Sequence, residues 1–151
     1  HPTVHRVSEL LRAGIVTDPA VTKTVWNSQN TAFVRDLAPA MFMIPGLGRH
    51  DDIYASLVTQ RVMRDRGYHV HFGQPFIFQQ RNQHDLLKDL SQEIWGMQHL
   101  LQFSDWLDSI ELGGPTVLDD VRGIFTLMPD WMPAQSREAG LAWVEDCQKV
   151  L

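Results

Sequence analysis

The run from Asp85 to Leu112, DLLKDLSQEIWGMQHLLQFSDWLDSIEL, constrains the fold more than any other segment. Leu86, Leu90, Ile94, Met97 and Leu101 recur at helical spacing, which predicts one long helix, or two joined near Gly96. The GGP that follows ends it. Upstream, the period changes at Asp51. Ile53, Leu57, Val58 and Val62 fall on one face, so a second amphipathic helix is expected from Asp51 to a stop at Gly67. TVLDDVRGIFTLM and AQSREAGLAWVEDCQKVL read as two further helices separated by PDWMP.

The first half is less regular. HRVSELLRAG reads as a short helix ended by Gly14, and IVTDPAVTKTVWNSQ as irregular chain. TAFVRD alternates and is expected as a strand, followed by a helical turn in LAPAMFMIP. YHVHF and PFIFQ are two short β-prone runs. The expected class is therefore α/β, with helices dominating the second half.

Bulk properties exclude several functions. The 13 Lys and Arg are scattered along a chain of net charge −5, which is no footprint for nucleic acid. Cys147 stands alone, so neither an intramolecular disulfide nor a Cys-rich zinc site can form. No apolar run approaches the roughly 18 residues of a membrane span. The chain begins with His1 rather than Met, and a fragment or processed product is expected. P-loop, GxSxG, HExxH and Rossmann glycine patterns do not occur.

Three polar clusters interrupt the apolar pattern. NSQNT, Asn27 to Thr31, carries amides that offer donor and acceptor together and suit sugar hydroxyls. Its alternative is a loop that satisfies its own backbone, which the pattern favours. Asp51 and Asp52 open the helix after PGLG. One acid suffices as an N-cap, so the other is spare to act as a general base or to hold a divalent cation; spacing alone favours capping. QQRNQHD, Gln79 to Asp85, lies between a strand and a helix. There Arg81 suits phosphate and His84 a metal or a proton, unless Asp85 or Asn82 simply caps the next helix. His69 and His71 alternate in a strand and are read as structural.

In order, NSQNTAF, the apolar run ending in IPG, GRHDDIYASLVTQRVMRDRGYHVHF, PFIFQQRNQHDLLKDLSQEIW and LLQFSDWL resemble the STELLO glycosyltransferase-like family. RHDDIY also resembles a stretch of the reversibly glycosylated polypeptides, the UDP-arabinopyranose mutase family. The likeness covers Asn27 to Leu107. STELLO-like sequences usually carry Ser where Asp51 stands, so only Asp52 matches the shared acid.

The resemblance implies the C-terminal part of a GT-A-like nucleotide-sugar transferase fold over residues 1–112, with a helical extension over 113–151. It implies a nucleotide-sugar donor and a glycan or other hydroxyl acceptor. Asp52 would be the catalytic base beside Asp51, while Asn27, Gln29, Asn30, Arg49, Arg81 and Asn82 would contact substrate. His84, with Gln79 as the rival position, would ligate a divalent metal, Mn or Mg. The DxD motif of such folds belongs to the N-terminal half; the DD pairs at Asp51 and Asp119 lack its spacing. Alone, such a piece is expected to be inactive and to expose apolar surface. A non-catalytic scaffold or binding module is the alternative, and a mutase the third choice.

Overall fold

In the computed structural model, which describes residues 14–74, 77, 80 and 83–150, the long run is a single helix. Its start is fixed by Asp85, whose carboxylate accepts from the Leu87 and Lys88 amides, both at 3.1 Å. From there α2 (Leu86–Ser109) runs unbroken through Gly96. A Cβ at Gly96 would lie 2.6 Å from the His50 ring, so glycine there lets a neighbouring segment press against the helix.

The other elements are β1 (Gly14–Thr17), short 3₁₀ turns at Arg35–Ala40 and Gly48–His50, α1 (Asp51–Arg64), β2 (Val70–Gly73), α3 (Val117–Thr126) and α4 (Ala134–Val150). The protein is thus mixed α and β, predominantly helical, with one small sheet among the described residues. β1 and β2 pair antiparallel, Gly14 opposite Gly73 and Thr17 opposite Val70.

α1 is the central helix. Every residue from Tyr54 to Met63 is buried, which one apolar stripe does not permit unless the polar members find partners. They do. Thr59 Oγ1 lies 2.8 Å from the Ala40 and Ala55 carbonyls, and Gln60 Nε2 donates to the Ser56 carbonyl. Arg61 donates to the Leu107 and Ile110 carbonyls and pairs with Asp65, capping the end of α2 from the side. α1 gives out at Arg64, and the chain reverses through Gly67, whose φ of 69° suits glycine.

α3 opens with a reciprocal capping box between Thr116 and Asp119. Val121, Ile124 and Phe125 from α3, Val144 from α4, Tyr54, Val58 and Val62 from α1 and Phe103 from α2 belong to one apolar core. Trp143 Nε1 donates to the Pro39 carbonyl at 2.9 Å and Ser136 Oγ to the Pro45 carbonyl at 2.5 Å. Residues on both sides of the expected boundary at 113 therefore share that core.

Two local expectations are corrected. TAFVRD forms no strand: residues 31–34 are irregular, and Arg35 begins a 3₁₀ turn that holds Pro39. Phe33 and Val34 are half-exposed, and alternation without a partner strand does not make a ladder. Conversely, Ile15 to Thr17, read as irregular, form β1 because β2 supplies the partner. The helix expected before Gly14 lies outside the described residues, as does most of PFIFQ.

Candidate functional site

The two acids at the start of α1 do not cap it. The N-cap position is His50, which makes no side-chain capping bond. Asp51 Oδ1 accepts from the Asp52 amide at 3.0 Å, and both carboxylates stand in the first turn, where the helix dipole favours negative charge. Asp52 reaches across the chain. Its Oδ2 accepts from the Ser28 amide at 2.9 Å and from Ser28 Oγ at 3.3 Å. Oδ1 meets no donor among the described residues. Two clusters 24 residues apart in sequence are thereby joined through one carboxylate.

Within NSQNT the bonding is partly local. Asn27 Oδ1 accepts from the Gln29 amide at 3.2 Å, and Thr31 Oγ1 donates to the Asn27 carbonyl at 2.6 Å, a side-chain-stabilised turn. Gln29 is exposed. Asn30 and Thr31 also line a cavity of about 330 Å³.

That cavity lies between the chain from Trp26 to Met41, the second half of α1 and β2. Its wall includes Trp26, Phe33, Met63, Tyr68, His69 and His71 beside Asn30 and Thr31. The size is at the low end for a small-molecule site, and aromatic walls with a few polar groups are its usual makeup. Both histidines line this cavity, His69 exposed and His71 half-buried. Their alternation and the neighbouring Tyr68 were visible in the sequence; the apposition of Trp26 and Asn30 was not.

Of the third cluster, His84 is tied to Asp89 and through it to Arg49. His84 Nδ1 lies 2.9 Å from Asp89 Oδ2, and Asp89 Oδ1 lies 3.2 Å from an Arg49 terminal nitrogen. Arg49 Nε donates to Glu93 Oε1 at 2.8 Å. The hydrogen bond to Glu93, with the charges of Asp89 and Glu93, outweighs the cost of burial and holds the guanidinium above its ordinary pKa. His84 and Arg49 are therefore brought together by Asp89, which the sequence reading missed, as it missed Glu93. The i, i+4 spacing of Asp89 and Glu93 on α2 was the available signal. Gln79, Arg81 and Asn82 lie outside the described residues.

An implied divalent metal finds no cage here. Among the described residues no three His, Cys, Asp or Glu side chains converge to hold an ion, and His84 is already engaged with Asp89. No described helix is long and apolar enough to cross a membrane. Compared with family models and with curated proteins, the chain matches none.

Proposed function

We propose that this chain forms the acceptor-side part of a GT-A-like glycosyltransferase site that uses a nucleotide-sugar donor. The single observation behind this reading is the Ser28–Asp52 link. Two stretches that resemble STELLO-like sequences, NSQNT and RHDDIY, are far apart in the chain yet meet at one carboxylate. In this reading Asp52 Oδ1 takes the proton of an acceptor hydroxyl, while Ser28 fixes the orientation of the carboxylate through Oδ2. A base must be held still and reach its proton at hydrogen-bond distance. Asp51, bonded to the backbone of Asp52, keeps that first turn rigid. Asn27, Gln29 and Asn30 offer amide groups to the sugar or acceptor, and Arg49 would meet the phosphates, the role that the resemblance also gives to Arg81 and Asn82.

The resemblance adds a divalent cation, Mn or Mg, with His84 as one donor; His84 would have to leave Asp89 to hold it, and no step of this reading runs through the ion. The test is transfer from labelled nucleotide sugars by the whole protein, wild type against Asp52→Asn. A base role predicts a loss of roughly 10²–10⁴-fold in rate with the fold intact; unchanged turnover would remove Asp52 from the reaction.

A second reading, a binding module without turnover, is favoured by the cavity. Its wall of Trp26, Tyr68, His69, His71 and Asn30 offers stacking and hydrogen bonds, and Asp52 is not part of it. Saturable binding of a glycan or nucleotide sugar that Trp26→Ala abolishes, with no product formed by wild type, would select this reading.

A further inference from the structure

We propose that the outer face of α2 pairs two copies of this chain through a short parallel coiled coil. Leu87, Leu90, Ile94, Met97 and Leu101 follow one another at spacings of three, four, three and four residues, the a/d repeat of a helix that packs along another helix. These five side chains are between 45% and 80% exposed. The opposite side of the same helix is already occupied. Gly96 receives the His50 ring, Phe103 is fully buried, and Trp95 packs against the core. A helix apolar on two opposite faces needs two partners, and the described residues supply one.

The repeat specifies a helix as the second partner, and the flanking residues admit a second copy of α2. A chain of net charge −5 repels its own kind over most of its surface. Along this seam the flanking residues are Ser91 and Gln98 on one side and Leu86, Glu93 and Leu100 on the other. Glu93 is the charged one, and Arg49 neutralises it. In a parallel pair Glu93 stands beside Gln98 of the second copy, whose amide donates to the carboxylate, so no like charges meet. Covering the five seam residues and Leu86 removes on the order of 700 Å² per copy, close to the roughly 800 Å² per partner of a stable interface.

Sedimentation equilibrium of the chain tests this. The expected mass is twice 17.3 kDa, falling to the single-chain value in Ile94→Lys/Met97→Lys with far-UV dichroism and cooperative unfolding unchanged. Leu127→Lys, a half-exposed apolar position off this helix, should leave the doubled mass intact. Under mild oxidation Leu90→Cys should cross-link the pair, since a parallel register sets the two d positions side by side; the native Cys147 is buried. A wild type that sediments as a single chain at every concentration would overturn the proposal. So would a doubled mass that survives both lysines, or large aggregates in place of a discrete pair.

Discussion

Ser28 gives both its backbone N–H and its hydroxyl to one oxygen of Asp52. The loop that carries three of the candidate binding amides is thus fastened to the first turn of the central helix. Asp52→Ala should cost about 1 kcal/mol, less than the full worth of charge-assisted bonds because the pair is partly solvated. It should also expose the Ser28 amide to hydrogen exchange. Ser28→Ala removes only the longer bond and should cost half as much or less. Equal protection of the Ser28 amide in wild type and Asp52→Ala would show that the loop is held by something else.

Two helical glycines should respond to alanine in opposite directions. At Gly140 in α4 a Cβ would fall 2.1 Å from the Phe125 ring, which is fully buried and has nowhere to go. Gly140→Ala should lose roughly 2–4 kcal/mol despite the better helix propensity, because overpacking outweighs it. At Gly123 in α3 the nearest atom is Leu112 Cδ2 at 3.5 Å, an ordinary contact. Gly123→Ala should therefore gain up to about 1 kcal/mol. Urea denaturation of the two variants beside wild type decides both signs.

Among the described residues Asp120 should be the costliest carboxylate to remove. It is buried and accepts from Arg66 Nε at 2.8 Å, Arg66 Nη2 at 2.6 Å and the Gly114 amide at 2.9 Å. Asp120→Ala strips the Gly114 amide of its acceptor and leaves the Arg66 guanidinium only the Gly114 carbonyl, and should cost about 3 kcal/mol, the lower end for a broken buried pair because Arg66 still reaches water. Asp120→Asn, which keeps an acceptor for Gly114, should cost less. Calorimetric unfolding of the two variants orders them.

Acid should weaken the tie between α1 and α2 through Asp108. Burial opposes its ionisation, but the hydrogen bonds and charges of Lys23 and Arg64 prevail and hold the carboxyl below its ordinary value. The folded state thus favours the ionised form. The stability this supplies is fully present above the unfolded value of about 3.9 and is lost as pH falls through the lower folded value. The group is substantially exposed, so the effect is small. Asp108→Asn should lie below wild type in denaturation midpoint at neutral pH, and the gap should narrow as pH falls below about 3.9. A gap that persists there would assign the loss to packing.

The sequence by itself determined the helices. Their periods, the Asp85 cap, the Thr116 capping box and the stop at Gly67 are local chemistry, decided within a few residues of each site. It also marked NSQNT and the acidic pair as unusual. Tertiary structure decided what these residues meet. Asp52 was expected to cap or to catalyse, yet its nearest bonds are to Ser28, a partner that only folding brings close. TAFVRD alternates as a strand should but finds no partner strand among the described residues, whereas Ile15 to Thr17 pair with β2. His69 and His71 alternate along one strand, but alternation cannot say what lies opposite; in the fold they line one cavity with Trp26 and Asn30. Hydrogen bonds and pockets between distant segments depend on where the chain returns, and that return is set by the packing of α1 against α2 and α3 rather than by any local pattern.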